Sequence, residues 1–244
     1  MTASLNINTV RQAQTLLAGV IHHTPLDRSR TFSQLTNCDI YLKLENLQKT
    51  GSFKIRGAYT KINSLTPAER EKGVITASAG NHAQGVAYAA TQAGIKSTIV
   101  MPEGAPLAKI IATRGYGAEV VLSGAGYDEA FAKACELQQS SGQTFIPAFN
   151  DPFVIAGQGT IGLEILAALP DVDAIVVPVG GGGLIAGIAL AVKEVSPKVK
   201  VYGVQAAGAP AVYQSKQARQ LVATAEASTI ADGIAVKAPG DLTF

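Results

Sequence analysis

Ile40, Leu42 and Leu44 alternate with Tyr41, Lys43 and Glu45, the period of two expected of a strand with one face turned to a core. Then the period changes. Gly51 interrupts the strand, Ser52 is a helix-capping residue type, and Ile55, Ala58, Tyr59 and Ile62 fall at i, i+3, i+4 and i+7, which predicts a helix beginning immediately after Ser52. Upstream, Asn8 is placed to cap an amphipathic helix with Val10, Ala13, Leu17 and Val20 on one face. Downstream, Thr66-Pro67-Ala68-Glu69 reads as a capping box with Pro at the first helical position, opening a short helix that Gly73 ends. Strands over 74–77, 98–101, 119–122 and 144–146 then alternate with helices near 82–93, 106–113 and 127–139. After the turn signal Asn150-Asp151-Pro152 come a glycine-interrupted helix over 153–169, a strand over 174–179, four glycines, a helix over 184–195 and a strand over 200–205. Short apolar strands separated by helices predict an α/β fold with open parallel sheets. Two α/β domains are expected, a smaller one over 51–150 inserted in a larger one made of 1–50 and 151–244, with a cleft between them. No internal repeat is found, and no closing element is expected at the end of the chain.

Composition agrees with that pattern. The 244 residues are 47 % hydrophobic with 25 Gly and no Trp, which suits helices packed closely on parallel sheets. A net charge of +2 without a basic stripe offers nothing to nucleic acid or to an anionic membrane. Cys38 and Cys135 have no metal-ligand spacing, so free thiols in a cytoplasmic protein are expected, and no metal site. No signal peptide is expected, since polar residues interrupt the opening segment. The uncharged run 174–192 is nearly long enough to span a membrane, but Pro178 and four glycines divide it into strand, loop and helix.

Three stretches carry candidate chemistry. Lys54 is placed in the first turn of its helix, where unpaired N–H groups disfavour an ammonium and favour the neutral amine, the form that attacks an aldehyde. Gly180, Gly181, Gly182 and Gly183 stand between a strand and a helix, which suits a phosphate; the loop lacks the Gly-Lys-Ser/Thr of an ATP site. Ser78, Ala79, Gly80, Asn81 and His82 also lie between strand and helix and could hold a carboxylate, although Ser78 and Asn81 are equally ordinary cap residues and His82 equally a packed histidine. Gly157-Gln158-Gly159-Thr160-Ile161-Gly162 formally matches a dinucleotide fingerprint, but neither a clear preceding strand nor a following acidic residue supports it, and close helix packing is expected instead. His22 and His23, adjacent and before Pro25, make no metal geometry.

A lysine amine, a phosphate loop and a carboxylate loop belong together around an aldehyde cofactor bearing a phosphate. The stretches KLENLQKTGSFKIRGA, SAGNHAQGVA, AGQGTIGLEI and PVGGGGLIAGIA resemble those of the pyridoxal-phosphate threonine dehydratases, whose fold is tryptophan-synthase-β-like, fold type II. The resemblance implies pyridoxal 5'-phosphate as cofactor, Lys54 as the catalytic lysine condensed with it, Phe53 against its ring, Asn81 on its 3′-hydroxyl, and Gly180, Gly181, Gly182 and Gly183 on its phosphate. It also implies Ser78, Ala79, Gly80, Asn81 and His82 around the substrate carboxylate, a homo-oligomer, and β-elimination of L-threonine or L-serine to a 2-oxo acid and ammonia. Serine racemases are similar too. They carry a second serine where this chain has Ala79, and carboxylates for a divalent ion where residues 205–211 read QAAGAPA, so the dehydratase reading is preferred. Members of the resembled family continue beyond the position of Phe244, so a shortened chain with an uncovered sheet is expected, and a catalytically silent fragment is the rival reading.

Overall fold

The computed structural model describes residues 4–244. Helix α1 (Ile7–Leu17) buries Val10, Ala13 and Leu17 on one face. Its cap is Asn6 rather than Asn8, and Val20 lies past its end. The reason is reciprocity: the Asn6 side chain accepts the Thr9 N–H while the Thr9 hydroxyl accepts the Asn6 N–H, an exchange that Arg11 could not give to Asn8.

Strands β1 (Leu26–Arg28) and β2 (Tyr41–Lys43) pair antiparallel around helix α2 (Arg30–Thr36), with Leu26 opposite Lys43. The alternation in β2 is present, yet the inward member is Lys43, while Leu42 is 37 % exposed. A carboxylate waits behind the strand, as described below.

The chain then winds through α3 (Lys54–Asn63), α4 (Pro67–Lys72), β3 (Val74–Ala77), α5 (Asn81–Gln92) and β4 (Ser97–Met101), and on through α6 (Leu107–Gly115), β5 (Glu119–Leu122), α7 (Tyr127–Ser141) and β6 (Thr144–Phe145). The four strands are parallel in the order β5-β4-β3-β6. Val74, Ile99 and Met101 join a core with α3 and α5, whereas Ile75, Ala77 and Val100 join one with α7. Both faces are covered, so β3 and β4 are buried at every position, Thr76, Ser97 and Thr98 included.

Helix α8 (Pro152–Ala168) follows, capped by Asp151, whose Oδ1 accepts the N–H groups of Phe153 and Val154. Strand β7 (Ala174–Pro178), α9 (Gly183–Val195), β8 (Lys200–Val204) and α10 (Ala211–Ala218) complete the regular elements. Strands β7 and β8 pair parallel, Ala174 opposite Lys200. Ile175 and Val177 pack with Ile161, Ile165, Ile188 and Val192 of α8 and α9, and the other face is open: Val176, Tyr202 and Val204 are 65 %, 51 % and 52 % exposed.

The Gly157-Gln158-Gly159-Thr160-Ile161-Gly162 stretch is the middle of α8, not a strand-to-helix turn. A Cβ on Gly157 would meet the Arg56 backbone of α3, and one on Gly159 would stand 2.8 Å from the Gly187 carbonyl of α9. These glycines let three helices approach closely, and no nucleotide loop exists there. No helix is long and apolar enough to cross a membrane, and no cluster of three or more His, Cys, Asp or Glu could hold a metal, both among the described residues.

Candidate active site

Thr50 and Gly51 both take left-handed conformations, φ 65° and 73°, and turn the chain sharply into α3. The cap of α3 is Phe53 rather than Ser52, without a side-chain cap bond, and Lys54 is the first helical residue; Ser52 Oγ accepts the Lys54 N–H at 3.4 Å from one position upstream. The lysine side chain turns into a cavity of about 590 Å³, where Nζ donates to the Ala148 carbonyl at 3.0 Å and lies 5.4 Å from the centre of the Phe53 ring. Burial pulls this amine from 10.5 down to about 8. The direction is the one expected for a helix start, but loss of water is the cause. Near neutral pH a far larger share of this amine is uncharged than of an ordinary lysine.

The glycine loop forms another wall. Gly182 has φ 97°, open to glycine and strained for other residues, and Gly183 begins α9. Among the described residues, no acceptor takes the N–H groups of Gly180, Gly181 or Gly182. A Cβ on Gly181 would run into the Phe149 ring, and one on Gly183 would stand 2.8 Å from Phe149. Ala148 and Phe149 therefore join the two halves of the site, the first holding Lys54 Nζ and the second lying under the loop. On its other side the Gly181 carbonyl accepts from the Thr243 hydroxyl at 2.6 Å and from the Gly240 N–H at 3.3 Å.

The third wall is the entry to α5. Ser78 Oγ accepts the Gly80 N–H at 3.2 Å, and α5 starts at Asn81 without a side-chain cap, so its first N–H groups are free to meet an anion. His82 is buried, and its Nε2 faces the Ile146 carbonyl at 2.9 Å, so that nitrogen carries a hydrogen. Burial first, then the neighbouring Lys54 charge, lower its pKa to about 3 against the opposing bond to Ile146. The neutral ring is thus tied to backbone, and the N–H that His82 can offer a ligand is its backbone one, in the first turn of α5.

Phe53, Lys54, Ser78, Gly80, Asn81, His82, Gly180, Gly181, Gly182 and Gly183 line this one cavity, and Ala79 alone of the sequence candidates does not. Sequence reasoning missed the wall contributed by Asp232, Gly233 and Lys237, which reaches back to α6 and α7 through the pairs Lys109–Asp232 (2.9 Å) and Lys237–Asp128 (3.0 Å). It also missed the cluster beneath Lys54. Arg56, fully buried, donates Nε and Nη2 to Glu45 at 2.8 and 2.7 Å and Nη1 to Glu164 at 2.6 Å, and Lys43 reaches Glu164 at 2.6 Å. Two cations and two carboxylates balance. The signal was present: Glu164 is the one charged residue of the mostly apolar α8, a position that calls for a buried partner.

The chemistry of these walls fits an aldehyde cofactor with an anionic tail: an amine that loses its proton near neutrality, loop N–H groups lacking acceptors, and room for both cofactor and substrate. Comparison with known proteins agrees. An L-threonine ammonia-lyase of Thermotoga maritima is 55 % identical over 240 residues, 98 % of this chain and 60 % of the relative. A structure of maize serine racemase matches with a TM-score of 0.95 at 37 % identity, covering 99 % of this chain and 73 % of that one. The processed form of threonine deaminase isoform 2 from Solanum lycopersicum matches with a TM-score of 0.92 at 42 % identity, covering 97 % and 65 %. The chain thus spans about three fifths of the length of the Thermotoga relative. Residues 17–244 match the family described as "Pyridoxal-phosphate dependent enzyme", and the chain belongs to that family.

Proposed function

We propose that this chain carries the cofactor site of an enzyme that converts L-threonine or L-serine to 2-oxobutanoate or pyruvate with release of ammonia, and that Lys54 is its catalytic residue. The observation that carries the reading is a buried lysine, half-way to neutrality at about pH 8, sharing one cavity with a glycine loop whose N–H groups have no acceptor. The 55 % identity to a relative named as an L-threonine ammonia-lyase supports the reaction class.

Pyridoxal phosphate, when bound, supplies an aldehyde that condenses with amines and a conjugated ring that draws off the electron pair left at a deprotonated α-carbon. Lys54 would hold the aldehyde through its neutral amine, and the same amine, when free, is placed to take a proton from a substrate α-carbon. Burial is what makes both roles possible near neutral pH. Gly180, Gly181, Gly182 and Gly183, with the first turn of α9, would hold the phosphate. Phe53 would pack on the ring and Asn81 would hydrogen-bond its hydroxyl. Ser78, Gly80 and the first N–H groups of α5 hold the substrate carboxylate, and His82 fixes that loop through Ile146 without moving a proton. Position 79 is Ala, which carries no group able to return a proton to the opposite face of the α-carbon, so elimination is favoured over racemisation. In this reading, residues 51–150 form one domain, 1–50 and 151–244 the other, and the cavity is the cleft between them.

The protein loaded with pyridoxal phosphate is expected to show the visible absorbance of the bound aldehyde, to lose it on borohydride reduction with the label on Lys54, and to release 2-oxo acid from threonine and serine. Lys54→Ala should abolish the label and the activity. A colourless protein in excess cofactor would refute the reading.

A further inference from the structure

The Gly181 carbonyl takes both of its donors from the turn at residues 240–243, the Thr243 hydroxyl at 2.6 Å and the Gly240 N–H at 3.3 Å. Thr243 Oγ1 also accepts the Gly240 N–H at 3.1 Å, so its own hydrogen goes to a carbonyl, and Gly181 O at 2.6 Å is nearer than Gly240 O at 3.2 Å. The turn is itself anchored. Asn150, next to the Phe149 that lies under the glycine loop, accepts the Leu242 N–H at 3.1 Å and donates Nδ2 to Asp241 at 2.6 Å. Neither Thr243 nor Gly240 lines the cavity, whereas Gly180, Gly181, Gly182 and Gly183 all do. The turn therefore stands behind the loop, on the side away from the cavity.

A trans peptide is planar, and its C=O and N–H point in opposite directions. In the unit that joins Gly181 to Gly182, a carbonyl turned back to Thr243 turns the Gly182 N–H away from the turn, and the cavity is what Gly182 faces on that side. This N–H has no acceptor among the described residues. Between two glycines the unit meets little steric resistance to turning over, and the reversed orientation would aim a carbonyl oxygen at any anion in the loop. Glycine supplies the freedom to form the loop, and a contact from outside has to remove the freedom to reverse it. Thr243 is close enough to do so: a Cβ on Gly182 would stand 2.8 Å from its Oγ1. We propose that Thr243 is a positioning residue of the phosphate loop, its hydroxyl holding the Gly181–Gly182 peptide with the N–H toward the cavity for an oxygen of the phosphate of pyridoxal phosphate. This role rests on the cofactor reading above.

Pyridoxal, the same aldehyde without the phosphate, separates a role at the phosphate from a general loss of packing. Dissociation constants for pyridoxal phosphate and for pyridoxal are read from the visible absorbance of the Lys54 adduct in the wild type, in Thr243→Val, which keeps the shape and removes the hydroxyl, and in Thr243→Ser, which keeps the hydroxyl. Thermal unfolding of the cofactor-free proteins checks that each variant folds. Thr243→Val is expected to weaken pyridoxal phosphate about tenfold and to leave pyridoxal within about twofold, the size of one misdirected hydrogen bond to a charged group. Thr243→Ser is expected to bind both aldehydes as the wild type does. Equal weakening of both aldehydes by Thr243→Val, no weakening of either, or a Thr243→Ser no better than Thr243→Val would overturn the role of Thr243 while leaving the cofactor site standing. A wild type that binds neither aldehyde would overturn both readings. Should Thr243→Val fail to fold, Thr243→Ala, which removes the hydroxyl without placing a methyl group against the Gly181 carbonyl, decides by the same ratio.

Discussion

Replacing Lys54 with Met keeps a side chain of similar reach and removes the ammonium, so it isolates what that charge does to the folded state. The amine falls from 10.5 to about 8 because burial opposes its charge. At about 1.4 kcal/mol per unit, the charged form costs the folded protein about 3 kcal/mol at pH 7. Part of that is returned because Met leaves the Ala148 carbonyl without its donor, a loss of about 1 to 2 kcal/mol. The cofactor-free Lys54→Met protein should therefore be more stable than the wild type by about 1 to 2 kcal/mol at pH 7. The sign with pH follows from proton binding. Between about 8 and 10.5 the unfolded chain holds the proton and the folded chain has released it, so wild-type stability rises with pH over that window. The cost is fully present below about 8 and gone above 10.5, where the Met variant keeps no advantage. Urea unfolding of the two cofactor-free proteins across this window, with equal m-values, measures the difference. A Met variant no more stable at pH 7, or one whose advantage does not change with pH, would show that Lys54 is not held in a dehydrating site.

Arg56→Met strands Glu45 and Glu164 with Lys43 as their one remaining cation in the cluster, and should cost about 3 to 5 kcal/mol, read as a fall in Tm of roughly 10 °C. Adding Glu164→Leu should restore a large part of that loss, and no restoration would argue that Arg56 acts by packing alone. His82, at about 3 against an ordinary 6.5, is neutral at physiological pH, and its ring resonances should not titrate between pH 5 and 8. Because the unfolded chain binds this proton more tightly, His82 makes stability fall as pH drops below 6.5; His82→Gln should flatten that slope, and an unchanged slope would count against it.

The regular elements were legible because each carries a local signal. Val74–Ala77 and 98–101 are short, mostly β-branched and apolar runs, and Thr66 with Glu69 spells its own cap. What stayed hidden lacked such a signal. Strand β1, only Leu26–Arg28, and helix α2, Arg30–Thr36, are too short for a period to register, and their formation depends on β2 as a partner. In β2 the pattern was visible but its sense was not, since Lys43 turns inward only because Glu164, 121 positions later, stands behind it.

The candidate site divides in the same way. Residue types and spacing were enough to place Lys54 at a helix start and four glycines between a strand and a helix, because those features depend on neighbours a few positions away. Tertiary structure alone decided that Ala148 and Phe149 bind the two together, that Arg56 is balanced by carboxylates from two other elements, and that the Thr243 hydroxyl stands behind the glycine loop. Burial decided the state of the amine as well. Desolvation depends on everything packed around a group, whereas a capping residue or a strand period is written in a handful of adjacent side chains.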